Sequence, residues 1–241
     1  MDIFQSLQKT QMNLENISKL RIKAEAGDAA AQYELGEIYF LGSIVPQNIE
    51  EGVIWYRRSA ESGDARAQSG LGYMYYKGLF FSKDSEEAYK WLNRSADQGN
   101  SDAQANLARM YATGWGVQEN PEEAYKWFKK SADQGHSDAQ YNIARMYATG
   151  YAVPQDAGQA LMWCRKSAAL SNMDAQYELG NVLSGFNSPV GKENVSETMK
   201  WYLVGNDKDK TERPYLDEAV MCFKMASEQG HSGAHGVLPE S

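Results

Sequence analysis

The sequence predicts an all-α fold, a right-handed superhelical solenoid of stacked antiparallel helix pairs with a 36-residue period. Three observations carry this. Gly27, Gly63, Gly99 and Gly135 stand 36 residues apart, and Gly42, Gly78, Gly114 and Gly150 keep the same step. Trp55, Trp91, Trp127 and Trp163 repeat at that spacing, as do Ala60, Ala96, Ala132 and Ala168. Each unit carries apolar residues at helical spacing on both sides of a glycine. A helix pair this short cannot bury its own apolar faces, and stacking on neighbours does it.

The chain begins with a capping helix over 1–26. Within it, residues 17–26 align with the second helix of a unit, because Ala24 falls where Ala60 and Ala96 fall. Lys19 takes the tryptophan position, which suits an end with no earlier neighbour. Four regular units follow over 27–170. In the third, Ala103, Leu107, Ala108, Met110 and Tyr111 form the stripe of a first helix, and Gly114 ends it in the left-handed region. Asn120 then caps a second helix, Pro121 suits its first position, and Glu123 stands where it can reach back. Asn48 with Glu51, Asp84 with Glu87, Asp156 with Gln159, and Asn194 with Glu197 are the equivalents. That helix buries Ala124, Trp127, Phe128 and Ala132 and stops at Gly135. Small residues let helices approach, while Tyr111 and Trp127 fill the space between pairs.

An irregular fifth unit spans 171–230. It starts with Ala175, Gln176, Leu179 and Gly180, then carries a loop two residues longer and a tryptophan at 201. A polar stretch over 207–215 follows. The next segment reads as a second helix, with Ala219 and Ala226 at alanine positions and Cys222 at the tryptophan position. No first helix precedes it, so either a unit has lost that helix or the helix at 195–205 is an insertion. Residues 231–241 begin a further, incomplete unit.

The pattern G-x-x-x-A-Q-x-x-L-G-x-x-Y-x-x-G stands here as Gly27, Ala31, Gln32, Leu35, Gly36, Tyr39 and Gly42, followed by Trp55, Ser59 and Ala60. It resembles the Sel1-like repeat family, a branch of the tetratricopeptide-like solenoids. The resemblance is strong over 27–180 and weak over 181–235. It implies a fold and says little about activity.

Composition narrows the function. With 24 basic and 32 acidic residues the net charge is −8, which argues against a nucleic-acid binder. Nothing in the sequence is long and apolar enough for membrane insertion, and the first twenty residues lack the basic and apolar regions of a signal peptide, so a cytoplasmic location is expected. Two cysteines exclude a disulfide scaffold. Cys164 and Cys222 fall at core positions and read as small hydrophobes. This departs from the cysteine-rich members of the family, among which β-lactam-binding proteins and hydrolases have been described. His231 and His235 have a metal-ligand spacing but no third ligand near, and His136 reads as a helix-start residue. The paired acids Glu50-Glu51, Glu86-Glu87 and Glu122-Glu123 recur with the unit and suit helix N-termini rather than a single active site. No nucleophile elbow, phosphate loop or zinc-finger spacing is present. No cofactor, no metal and no enzymatic activity are expected.

The resemblance places the first helices on a concave groove. Carried over residue by residue, it gives Tyr33, Glu37, Phe40, Arg66, Tyr73, Tyr76, Lys77, Asp102, Arg109, Asp138, Tyr141, Arg145 and Tyr177 as partner-binding residues. Leu41, Thr113, Thr149 and Asn181 flank them. Tyrosine and arginine are enriched at binding hot spots. Arg109 and Arg145 are repeat equivalents that would stack along the groove and clamp a carboxylate; the alternative pairs them with Asp102 and Asp138. A second surface is offered by loop residues Phe80, Phe81, Trp115 and Tyr151, beside Leu79, which either lid the helix ends or meet a partner.

The expected function is a non-enzymatic scaffold or adaptor that binds another protein or peptide in the groove, as in a bacterial regulator. An immunity protein that neutralises a cognate toxin is the nearest alternative that the resemblance offers. End-to-end self-association is a third, because solenoid ends expose apolar faces.

Overall fold

A computed structural model describes residues 15–185 and 216–234, with side chains over 15–182 and 221–234. The Asn194–Glu197 cap, its loop, Trp201, the 195–205 helix, the 207–215 stretch, the Ala219 side chain and His235 lie outside the described residues. Among the described residues there is no strand. The helices are α1 (15–25), α2 (Ala29–Leu41), α3 (Ile49–Glu61), α4 (Ala65–Lys77), α5 (Ser85–Asp97), α6 (Ser101–Thr113), α7 (Pro121–Asp133), α8 (Ser137–Thr149), α9 (Ala157–Ala169), α10 (Met173–Gly185) and α11 (Leu216–Glu228). The chain forms two compact units, one of Met1–Met110 with Trp115–Gln118 and one of Tyr111–Gly114 with Glu119–Ser241. Each is an α-solenoid of paired helices. In the first unit α2 packs on α3 and α4 on α5; in the second α8 packs on α9 and α10 on α11. Successive pairs stack through α3 on α4 and α9 on α10.

Helix starts follow the sequence. Asp28, Asn48, Asp64, Asp84, Asn120 and Asp156 accept backbone N–H groups of the first turn, and His136 does the same through Nδ1 at 3.2 Å from Ala139 N. The first helices α2, α4 and α8 end on Gly42, Gly78 and Gly150, all left-handed. One expectation is corrected. The third-position glutamates do not reach back to close a capping box; Glu51 and Glu87 reach forward and accept the indole N–H groups of Trp55 (3.0 Å) and Trp91 (2.8 Å). Those indoles are buried, and a buried N–H needs an acceptor. Glu123 instead pairs with Lys126 at 2.6 Å. Trp127 is half-buried rather than buried, with Lys130 3.9 Å from its ring centre.

Two buried side chains fix how pairs meet. Gln32, Gln68, Gln104, Gln140 and Gln176 donate to the carbonyls of Ala24, Ala60, Ala96, Ala132 and Ala168 at 2.9–3.2 Å. These carbonyls lie in the last turn of the preceding helix, where no intrahelical donor remains for them. Ser59, Ser95 and Ser167 donate to the first-turn carbonyls of Ala29, Ala65 and Ser137, closing each pair.

Size is complementary inside each pair. Gly36 lies against Tyr56, Gly72 against Leu92 and Gly180 against Phe223, each so close that a Cβ would meet that side chain at 2.7–2.8 Å. Ala24, Ala31, Leu35 and Trp55 form the core of the first pair, which buries Ala24 as expected for a capping helix.

The last pair repeats the same chemistry. Phe223 covers Gly180, and Gln229 donates to Gln176 at 2.8 Å as Gln98 donates to Gln68 at 2.7 Å. The turn bonds correct one residue: His231 N donates to Ala226 O as Asn100 N does to Ser95 O. Ala226 therefore takes the serine position, and Ser227 the alanine position. Cys222 is buried, as its tryptophan register requires, and Ala234 is buried in the turn that follows Gly230.

Packing this close sets two expectations. Gly72→Ala and Gly180→Ala should each destabilise by roughly 1–3 kcal/mol in urea unfolding, outweighing the ~1 kcal/mol that alanine gains as a helix former. An unchanged midpoint for Gly180→Ala would mean that α11 does not close on α10. Gln140 Oε1 is buried without a partner, and position 170, where its neighbours carry Gln98 and Gln134, is Leu170. Leu170→Gln should add about 0.5–1.5 kcal/mol by supplying that donor, measured in the same way.

Candidate functional site

The candidate residues of the first unit fall into two groups. Tyr33 and Phe40 project from α2 and pack edge-on against Tyr56, with ring centres 5.2 and 5.8 Å away. Glu37 accepts the Tyr56 hydroxyl. Arg66 lies 4.2 Å above the Tyr33 ring and is bound twice to Asp64, through Nε at 3.2 Å and an Nη at 2.7 Å. Burial works against the charge on Asp64, but Arg66 and the N–H groups of Ala67 and Arg66 hold its carboxyl below the usual range. Burial and the nearby Glu37 push the Tyr33 hydroxyl up. This group is a consolidated polar and aromatic network.

The second group is more open. Tyr73 is exposed and Lys77 Nζ sits 5.7 Å from its ring centre. Tyr76 meets Trp115 edge-to-face at 5.0 Å, with Lys77 at 5.6 Å and Lys83 at 5.9 Å from the Tyr76 ring. Lys83 lies 4.9 Å from the Trp115 ring. Asp102 is exposed in the first turn of α6, and Arg109 donates to Asn106 at 3.0 Å.

In the second unit, Asp138 accepts from Asn172 at 2.7 Å. Arg145 is exposed, 6.0 Å from the ring of the half-buried Tyr141. Beside them Glu178 is half-buried, with Oε2 buried and unbonded. Burial pushes its pKa up, and the charge of Arg145 offsets this only in part. Burial, with Glu178, likewise raises the Tyr141 hydroxyl. Tyr177 stacks on His231 at 4.2 Å, and His231 Nε2 is 3.6 Å from Asp174. Cys164 is buried in the core, and burial pushes its thiol up to about 12, far from a nucleophile's range.

The loop residues lie over the ends of the preceding first helices. Phe80 meets Phe40 at 5.3 Å, Trp115 meets Tyr76, and the Tyr151 hydroxyl donates to Ala112 O at 3.3 Å. Phe81 stacks on Tyr75 at 4.7 Å, with Arg57 5.1 Å from its ring centre. Phe80 differs from the rest in remaining 52 % exposed.

Sequence reading passed over Glu178 and Lys83. Glu178 shares a repeat position with Glu34, Gly70, Asn106 and Asn142, so its residue type alone did not set it apart. Lys83 shares one with Glu119 and with Gln47 and Gln155, of which the glutamines donate to the helix-end carbonyls of Phe40 and Ala148, each at 2.8 Å.

Stacked helix pairs that display repeat-equivalent side chains define the α-solenoid class of repeat protein. The Sel1 repeat matches residues 29–64, 65–100, 101–136, 137–172, 174–204 and 216–231. The chain belongs to the Sel1 repeat family, whose members generally serve as scaffolds for protein–protein interaction. No curated protein matches the sequence. Among solved structures, it is similar to a Sel1 repeat protein from Oxalobacter formigenes, with 29% identity over 87% of this chain and 75% of that one, and a TM-score of 0.69. It is similar to c5321, a protective antigen of uropathogenic Escherichia coli, at 29% identity and a TM-score of 0.66; the match covers 90% of this chain but only 50% of that one. The immunity protein Pa5087 from Pseudomonas aeruginosa shares the fold at 14% identity, 88% and 74% coverage and a TM-score of 0.52. No described helix is long and apolar enough to cross a membrane.

The raised pKa of Glu178 gives a signed pH dependence. Its favourable contribution is complete below the unfolded carboxylate pKa and is lost as pH rises through the folded value. Glu178→Gln should therefore raise the melting temperature relative to wild type near pH 7, and the gain should vanish near pH 4. A gain of equal size at both pH values would remove ionisation as its cause.

Proposed function

We propose that this chain is a scaffold that binds a protein or peptide along the surface of its first helices. One observation carries this reading. A single repeat position holds Tyr73 on α4, Arg109 on α6 and Arg145 on α8, and all three side chains keep at least part of their surface in solvent. The buried positions of the same helices hold small, aliphatic and amide side chains, whereas these three reach solvent. Arginine at such a position forms charge-assisted pairs with carboxylates. The binding set comprises these three with Tyr33, Glu37, Phe40, Arg66, Tyr76, Lys77, Asp102, Asp138, Tyr141 and Tyr177, and a cytoplasmic location belongs to the same proposal. Neutralisation of a basic toxin is a special case that the net charge of −8 favours.

Affinity capture from native lysate, with mass spectrometry, tests the reading. Wild type should retain one stoichiometric protein that the folded Arg109→Ala, Arg145→Ala variant loses. Equal recovery by a variant with wild-type circular dichroism would overturn the role of the arginines.

A further inference from the structure

The outer end of α4 and the loop after it depart from the other pairs in three ways. First, Phe80 holds a φ of +62°, and its equivalents include Gly116 at +76° and Ala152 at +66°. A phenylalanine in the left-handed region is strained where a glycine would be relaxed. Its ring packs edge-to-face on Phe40 yet remains 52 % exposed, so about half of its surface is left to solvent. Second, Lys83 stands where Gln47 and Gln155 tie the loop to the helix end and where the third pair has Glu119, so it alone of these four places a cation there, and its ammonium lies over Tyr76 and Trp115. Third, Lys77 approaches the same Tyr76 ring at 5.6 Å. Among the described residues neither lysine forms an ion pair. Two uncompensated ammoniums thus converge on aromatic rings in a chain of net charge −8.

Each element has a matching ligand chemistry. An ammonium held over ring faces is attracted by them yet keeps N–H donors for an anion. The exposed Tyr73, its ring centre 5.7 Å from Lys77 Nζ, and Phe80, three residues along the chain from each lysine, add amphipathic and apolar area. Acidic groups alone would leave the phenylalanine unused, and a purely apolar segment would leave the lysines without partners.

We propose that Tyr73, Tyr76, Lys77, Phe80, Lys83 and Trp115 form a docking site for an acidic segment of a partner protein that also carries large apolar side chains. Lys77 and Lys83 take carboxylates, while Phe80 and Tyr73 cover the apolar side chains. The assignment rests on the scaffold reading above and specifies its partner's chemistry.

The test uses the full chain and a fluorescein-labelled peptide of sequence EELFEELLEEGG, read by fluorescence anisotropy, beside a control with lysine at every glutamate. Wild type should bind the acidic peptide, with affinity falling as salt rises, and should not bind the control. Lys77→Glu with Lys83→Glu should weaken binding by about tenfold or more. Phe80→Gly should weaken binding while raising the melting temperature, a pair of effects that a purely structural phenylalanine would not give. Failure of wild type to bind at about 1 mM peptide, binding of the control as tight as the acidic peptide, or unchanged affinity in the double lysine variant would overturn the site. The lysate capture separates this from the broader reading. A protein retained by the lysine variant but lost by the Arg109, Arg145 variant keeps the scaffold and rejects the site. Loss in the lysine variant alone rejects the arginine clamp and keeps the site.

Discussion

The hydrogen bond from a buried glutamine to an alanine carbonyl of the preceding helix is the constraint on which the rest of each unit depends. Its acceptor is a helix-end carbonyl without an intrahelical donor, and its donor is a first-turn side chain of the next helix. The carbonyl also accepts a turn N–H, that of Gly63 at Ala60 and of Gly99 at Ala96, but the buried glutamine amide would lose its acceptor if the register slipped, at a cost of about 1–3 kcal/mol. Stacking register is therefore set by a polar bond, while its driving force is apolar. The close approaches follow from that register. Gly72 accommodates Leu92 only when α4 and α5 meet at one height, and the serine bond from Ser95 to Ala65 holds that height within the pair.

Most of this was legible in the sequence because it concerns residues that repeat. Period, caps and terminating glycines each depend on local backbone chemistry, and local chemistry recurs with the motif. The departures arise where a side chain chooses between partners. Glu51 and Glu87 had a backbone N–H behind them and an indole N–H ahead, and the buried indole had no other acceptor. Helix propensity and spacing carry no information about that choice. Ala226 was misplaced by one residue for a related reason. Its segment reads alanine then serine where the others read serine then alanine, and only the turn bonds around Gly230 fix the register.

The candidate site was legible in its residue types and less so in its arrangement. Counting positions along first helices found Tyr33 and Phe40, but Tyr56 comes from a second helix and engages both. Glu178 and Lys83 escaped notice because their repeat positions already vary in charge, the first holding Glu34, Gly70, Asn106 and Asn142 and the second Gln47, Glu119 and Gln155. A carboxylate in place of an asparagine and an ammonium in place of a glutamine look conservative in a repeat alignment. In a folded helix pair they differ sharply, because amides satisfy neighbours without a charge to compensate.

The same logic separates structural from functional irregularity in a repeat protein. A repeat tolerates substitution wherever the new side chain restores the lost bond or fills the lost volume. Gly36 facing Tyr56 and Gly180 facing Phe223 show volume preserved with a different partner. The segment around Phe80 restores them only in part, through the contacts of Phe80 with Phe40 and of Phe81 with Tyr75. It forgoes the glutamine bond made by Gln47 and Gln155, it holds an aromatic residue at positive φ, and it leaves that residue largely in water. Each change alone is a modest loss to the free chain, and the changes sit together at one helix end. A cost that packing does not recover points outward, toward what the surface meets.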